Sequence, residues 1–161
     1  MYDFKIAASD KATLYRDLAA ALEGVTAGEP DGIANMANAA ALIFETLPDL
    51  NWAGFYFFDG TELVVGPFQG LPACVRIPLD KGVCGAAART RQTQRIEDVH
   101  AFPGHIACDS ASNSELVVPL VAAGGELLGV FDLDSPLPAR FDVEDQEGLE
   151  AIARAYLESL Q

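Results

Sequence analysis

Three cysteines are the strongest candidates for covalent chemistry in this sequence, and Cys108 has the setting most typical of a reacting thiol. It precedes the apolar residues 116–120 and lies in the polar run GHIACDSASNSE at 104–115. An accessible thiol on a polar loop readily forms the nucleophilic thiolate. Cys74 and Cys84 are candidate partners. The three cysteines therefore suggest a redox centre, a metal site or three unrelated packed residues.

Carboxylates form a second candidate group. Asp132 and Asp134 share one face of the otherwise apolar segment 129–134, and Glu115 stands at the start of a neighbouring strand. A buried carboxylate must be paired, hydrogen-bonded or protonated, and two close together raise one pKa. The alternative is that Asp134 caps the strand end and Asp132 faces solvent. If they are buried, these acids can hold a cation and a proton donor together.

Aromatic residues alternate along the segment 52–58. Trp52, Gly54 and Tyr56 point to one face of a strand, so Gly54 would leave a hollow between two aromatic rings. One interpretation is ordinary sheet packing. The other is a small aromatic cage for a soft or cationic group.

A metal site is the least supported use of the polar loop. His100, His105 and Cys108, with Asp98 upstream, offer nitrogen, sulfur and oxygen ligands, but their spacing matches no common zinc pattern. We therefore predict no bound metal. His105 can instead polarise or position Cys108. Cys84 lies among small residues at the start of a predicted helix. The helix N-terminus could activate its thiol, or close packing could bury the side chain.

The composition limits the class of protein. The chain has 161 residues, half of them apolar, and a formal net charge of −14. This predicts one domain over 1–161 and argues against nucleic acid and membrane partners. The N-terminus lacks the pattern of a secretory signal, which indicates a cytoplasmic location. Because thiols are kept reduced there, any disulfide should be transient.

Helical periodicity marks both ends of the chain. The region 1–48 should contain two helices: one capped by Ser9 or Asp10 and ended by Gly24, and one closed by Pro48. Their predicted core-facing residues are Leu14, Leu18, Leu22, Ile33, Met36, Ala40, Ile43 and Leu47. A last helix begins at the cap Asp142 and carries Leu149, Ile152, Ala153, Tyr156 and Leu160.

The region 49–161 adds the sheet to that last helix. Two-residue periodicity predicts hairpins at 51–58/62–65 and 116–122/126–134, with short strands at 74–77 and 94–96. A helix is expected at 83–89 and a long loop at 97–114. The predicted fold class is α+β: a central antiparallel sheet with helices from both chain ends packed on one face.

Several motifs together resemble the free methionine-(R)-sulfoxide reductase family, whose enzymes are built on a single GAF domain. The resemblance runs from about Asp49 to Leu149 and rests on the motifs NWAGFY (51–56), GPFQG (66–70), CVRI (74–77), GVCG (82–85) and the 97–115 loop. One departure is a slightly long turn at 122–126, away from the candidate site.

The resemblance implies roles for the candidate residues. Cys108 would be the nucleophile, Cys74 its disulfide partner, and Cys84 a third thiol that assists recycling. The substrate-binding residues would be Trp52 and Tyr56, around the methyl-sulfoxide end, and Glu115, Asp132 and Asp134, at the amino group and the sulfoxide oxygen.

The implied reaction reduces free L-methionine (R)-S-oxide to L-methionine through a cysteine sulfenic acid and an intramolecular disulfide. Thioredoxin or another dithiol would be the external reductant, with no bound cofactor, and a homodimer would be compatible with the family. The residues alone leave open two alternatives to this reaction. One is a non-catalytic GAF sensor of a small molecule, and the other is a thiol redox switch without turnover.

Overall fold

The computed structural model describes residue 6 and residues 8–161, and within them the chain forms four α-helices and six β-strands. The helices are α1 (Lys11–Thr26), α2 (Gly32–Thr46), α3 (Gly82–Thr90) and α4 (Val143–Glu158). The strands are β1 (Trp52–Phe58), β2 (Glu62–Gly70), β3 (Arg76–Pro78), β4 (Gln94–Ile96), β5 (Ser114–Val121) and β6 (Leu127–Ser135). Residues 1–5 belong to the N-terminal segment that is predicted to lack a secretory signal, and they lie outside the described residues.

The strands form one antiparallel sheet in the order β3-β2-β1-β6-β5-β4. Both predicted hairpins are present, and β2 is longer than predicted. It continues to Gly70 after an irregularity in its pairing with β1. The Gly66-Pro67 pair fits this irregularity, because glycine and proline can interrupt the regular hydrogen bonding of an edge strand while the strand continues.

Helices α1, α2 and α4 cover one face of the sheet. The apolar sides of α2 and α4 pack on alternate residues of the strands, including Phe55, Leu116, Phe131 and Leu133, each of which is fully buried, and α1 packs on α4 and α2. This confirms the predicted α+β fold with helices from both chain ends on one face. The opposite face is covered by α3 and by the loop that follows β4.

Two details of the helices differ from the prediction. Asp10 caps α1 by accepting a hydrogen bond from Thr13 N at 2.8 Å, but the helix passes Gly24 and ends at Thr26. A single glycine costs a helix only about 1 kcal/mol, and the burial of Thr26 holds the last turn. Ile33 is 61% exposed, so its assignment to the core is wrong. It lies in the first turn of α2, before the helix reaches the sheet.

The terminal helices are joined by a buried carboxylate. Asp145 in α4 accepts hydrogen bonds from Lys11 Nζ at 2.6 Å, Tyr15 OH at 2.8 Å and Arg140 at 3.2 Å. Asp142 caps the same helix, as predicted. A buried charge with this many donors fixes α1 against α4. Among the described residues, no helix is long and apolar enough to span a membrane.

Candidate active site

Register brings the predicted acids and aromatics to one face of the sheet. Trp52 in β1 pairs with Asp134 in β6, which pairs in turn with Glu115 in β5. One step further along β1, Gly54 pairs with Asp132. Residues that pair directly in antiparallel strands share a face, so the side chains of Trp52, Asp134, Glu115 and Asp132 all point away from the terminal helices.

Burial decides between the two interpretations of the acids. Glu115 is 7% exposed and Asp132 is 5% exposed, while Asp134 is half-buried. The alternative in which Asp132 faces solvent is therefore wrong. Asp132 Oδ1 is buried and has no hydrogen-bond partner among the described residues. A buried acceptor without a donor destabilises a fold, which indicates a group kept for binding.

The acids hold protons more strongly than isolated carboxyls. Burial raises the pKa of Glu115 and of Asp132 well above the usual range, and repulsion from neighbouring carboxylates adds to both shifts. Burial also raises the pKa of Asp134 to about 7, against a hydrogen bond from Ser112 that lowers it. The site can therefore contain neutral carboxylic acids and a carboxylate together near neutral pH.

Cys84 lies beneath these acids in the first turn of α3. Its side chain is buried, and its Sγ is 3.8 Å from Glu115 Oε1. Burial, followed by repulsion from Asp132, raises the pKa of the thiol well above its ordinary value. Activation by the helix N-terminus is outweighed here, and Cys84 is a protonated thiol in contact with the acid cluster.

The aromatic residues form a wall rather than the predicted hollow. The Trp52 ring stacks between Tyr56 and Phe68, with centroids 5.7 Å and 5.2 Å away. A Cβ atom added at Gly54 would lie 2.7 Å from the Trp52 ring and overlap Phe68. The prediction of a hollow at Gly54 is therefore wrong, because these two side chains fill it. The aromatic surface borders the acids instead.

Cys74 and Cys108 are joined by a disulfide, with Cα atoms 5.3 Å apart. Cys74 lies between β2 and β3, while Cys108 lies in the loop after β4. The disulfide thus ties the long loop to the far side of the sheet. The resemblance implied this pair, and sequence spacing alone left the pairing open.

Sequence reasoning missed the side chains that hold the Cys108 loop. Asn51 Nδ2 donates to Asp109 Oδ2 at 2.9 Å and to Ser112 Oγ at 3.0 Å. The backbone N–H of Asn51 also donates to the carbonyl of Asp134 at 3.0 Å. These bonds fasten the loop to the start of β1. No sequence signal pointed to these bonds, because the partners lie 58 and 61 residues further along the chain.

A small cavity lies between the disulfide, the aromatic wall and the acids. Its volume is about 40 Å³, and its lining includes Trp52, Tyr56, Cys84, Cys108, Glu115 and Asp132. Sites for drug-sized ligands usually exceed about 300 Å³. In the disulfide-linked form, the site is therefore nearly filled by the protein itself.

The metal ligands considered from the sequence do not form a cluster. Cys108 is in the disulfide, Asp98 accepts from the backbone of His100 at 2.9 Å, and His100 Nε2 is 2.9 Å from Asn113 Oδ1. His105 lines the cavity, and burial lowers its pKa.

A different trio comes together inside the described part of the chain. Single donor atoms of Cys84, Glu115 and Asp132 lie within 4.8 Å of one another. Burial raises the pKa of all three groups, so in the absence of a cation they favour their protonated forms. The same proton-rich chemistry suits hydrogen bonding to a polar substrate.

The fold and site have clear relatives. The family model described as "GAF domain" matches residues 34–159. The free methionine-R-sulfoxide reductase of Escherichia coli is 52% identical over 143 residues, covering 89% of this chain and 86% of that protein. The structure of free methionine-R-sulfoxide reductase from Neisseria meningitidis in complex with its substrate is 44% identical, with a TM-score of 0.94 over 99% of this chain and 96% of that one.

A Burkholderia vietnamiensis structure described as a GAF sensor protein is 66% identical, with a TM-score of 0.92 over 94% of this chain and 96% of that one. The fold and site thus define a GAF-domain protein. The chain belongs to the free methionine-R-sulfoxide reductase family of GAF proteins, in agreement with the predicted family.

Proposed function

We propose that this protein reduces free L-methionine (R)-S-oxide to L-methionine with its own thiols as the immediate reductant. The observation that carries the proposal is the position of buried, proton-rich carboxyls and an aromatic wall beside the Cys74–Cys108 disulfide. A sulfoxide must be protonated or strongly hydrogen-bonded before a thiolate can attack its sulfur. This site combines a proton donor with a cysteine pair.

Substrate binding follows from the same groups. Asp134, with a pKa of about 7, ionises near neutral pH and pairs with the free ammonium of the substrate, and Asp132 Oδ1 is a further buried acceptor. A neutral carboxyl donates to the sulfoxide oxygen. Trp52 and Tyr56 contact the methyl-sulfoxide end, because polarisable sulfur packs well against aromatic rings. A residue within a polypeptide has an amide in place of the ammonium, so the free amino acid is preferred.

Reduction of the sulfoxide takes two chemical steps. The Cys108 thiolate attacks the sulfoxide sulfur while a carboxyl protonates its oxygen, and the oxygen passes to Cys108 as a sulfenic acid when methionine leaves. The Cys74 thiol then attacks the Cys108 sulfur, forming the disulfide and releasing water. Sulfoxide and two thiols thus become methionine, a disulfide and water.

The cavity of about 40 Å³ belongs to this disulfide-linked form. Substrate enters the reduced form, in which the Cys108 loop is no longer tied to Cys74. Reduction by thioredoxin or another dithiol returns both thiols. Assistance by Cys84 in recycling, a cytoplasmic location and a homodimer stay predictions of the sequence.

The first test is methionine release from the separate R and S epimers of free methionine sulfoxide, with dithiothreitol as reductant. We expect turnover of the free R epimer and none of the S epimer or of an N-acetylated substrate. Cys108→Ser should release no methionine. A folded, fully reduced wild-type protein that turns over neither epimer would favour the sensor function in the description of the Burkholderia protein.

A further inference from the structure

Apolar side chains are exposed beside one end of the disulfide. Among the described residues, the large hydrophobic side chains that are most exposed are Leu71 at 65%, Val75 at 63% and Ile33 at 61%. The first two flank Cys74 within three residues on either side, and Pro72 between them is also exposed. A cluster of this kind next to a reactive group is typical of an interaction surface.

The two sulfurs of the disulfide have different surroundings. Cys108 is followed directly by Asp109 and lines the cavity beside Glu115 and Asp132, and Leu71 and Pro72 border the same cavity from the Cys74 side. Segment 71–75, by contrast, contains no charged side chain. An attacking thiolate is an anion, so the acidic side chain of Asp109 beside Cys108 disfavours its approach more than the uncharged segment 71–75 beside Cys74 does.

The backbone also gives segment 71–75 a defined position. The carbonyl of Val75 accepts a hydrogen bond from Val65 N at 3.0 Å, which attaches the segment to β2. The side chain of Val75 therefore has a position fixed to the sheet. A fixed apolar surface loses little conformational entropy when a partner binds.

We propose that a dithiol protein of the thioredoxin class docks on the apolar surface of Leu71, Pro72 and Val75 and attacks Cys74 rather than Cys108. The inference rests on the proposed function, because that function generates the disulfide and requires its reduction. The exposed apolar residues match a partner whose reactive cysteine is surrounded by uncharged surface.

The exchange proceeds in two steps. The thiolate of the partner attacks Cys74 Sγ, so the bond between Cys74 and Cys108 breaks and Cys108 leaves as a thiolate. The second partner thiol then attacks the partner sulfur of the mixed disulfide and releases Cys74. Two electrons pass from the partner dithiol to the protein, and the partner becomes a disulfide. The first thiol released is the proposed nucleophile.

Val75→Asn tests the surface, because it removes an exposed apolar side chain without adding charge. We expect kcat/KM for thioredoxin to fall about tenfold, while turnover with dithiothreitol stays within a factor of two. Ile33→Asn is the matched control, since Ile33 is equally exposed but lies on α2. It should leave both reductants unaffected. Equal losses with thioredoxin and dithiothreitol, or no loss with thioredoxin, would overturn the docking surface.

A trapping experiment tests the attacked sulfur on the wild-type chain. The oxidised protein is mixed with thioredoxin that lacks its second cysteine, and peptide mapping locates the mixed disulfide. We expect it at Cys74, with Cys108 free to react with an alkylating reagent. A mixed disulfide at Cys108 would refute the proposal. Absence of turnover with dithiothreitol would instead refute the proposed function, so the two failures are distinguishable.

Discussion

Replacing Asp134 with asparagine removes one of three neighbouring carboxyls while nearly keeping the shape of the side chain. In the folded protein, burial raises the pKa of Asp134 to about 7, whereas an aspartate in an unfolded chain has a pKa of about 3.9. Between these values, the folded protein retains a proton that the unfolded chain has lost. The free energy of unfolding therefore decreases as the pH rises through this window.

The size of the effect follows from the width of the window. One extra bound proton changes the free energy of unfolding by about 1.4 kcal/mol per pH unit, so three units give an upper limit of about 4 kcal/mol. Asp134 is only half-buried, and water screens part of the shift. We expect Asp134→Asn to be more stable than wild type by about 2 kcal/mol at pH 8, with little difference at pH 4.

The assay is urea unfolding of the disulfide-linked protein at pH 4, 6 and 8, without substrate. Asp142→Asn is a control of opposite sign, because the hydrogen bond with Lys11 lowers the pKa of Asp142 to about 2. The stability from Asp142 is present above about pH 4 and is lost only as the pH falls through the folded pKa. Asp142→Asn should therefore be less stable than wild type, and the loss in free energy of unfolding should be the same at pH 6 as at pH 8.

Two results would refute the reasoning. In one, Asp134→Asn has the same dependence of stability on pH as wild type, which would mean that Asp134 does not retain a proton on folding. In the other, the variant is less stable than wild type at pH 8. The stabilised variant should also reduce methionine sulfoxide poorly, because it lacks a proton donor or an ammonium partner.

Two further changes test the chemistry and the packing. Cys74→Ser should release roughly one methionine per chain in a burst and then stop, as measured by rapid quench. A slow residual rate that disappears in the double variant with Cys84→Ser would assign Cys84 to recycling. Full steady turnover would contradict the role of Cys74. Gly54→Ala should destabilise the fold by about 1 to 3 kcal/mol in urea unfolding, since its Cβ overlaps Phe68 and the Trp52 ring; unchanged stability would mean that the aromatic wall shifts freely.

Local patterns were enough to predict the order of elements and their faces. Two-residue alternation placed Trp52 and Tyr56 opposite Phe55, and the structure puts them on opposite faces. Helix caps depend on hydrogen bonds to nearby residues in the chain, so the cap Asp142 could be predicted from sequence and the cap of α1 could be limited to Ser9 or Asp10, of which Asp10 is the cap.

Contacts between distant segments could not be predicted in the same way. The space at Gly54 depends on Phe68, which lies on another strand whose register includes an irregularity. The bonds from Asn51 to Asp109 and Ser112 span about sixty residues of chain, and neither periodicity nor composition indicates them. Register and loop placement are properties of the assembled sheet.

The two faces of the sheet differ in what they contribute. On the helical face, apolar side chains from three helices and three strands are buried together, and the buried Asp145 is satisfied by several donors. On the other face, Asp132 Oδ1 and Trp52 Nε1 are buried without partners among the described residues, and nearby carboxyls repel one another. Because unpaired polar atoms and repelling acids lower stability, the site depends on the helical face for a folded scaffold. Variants that weaken the acid cluster should therefore gain stability as they lose activity, whereas variants at Asp145 should lose both.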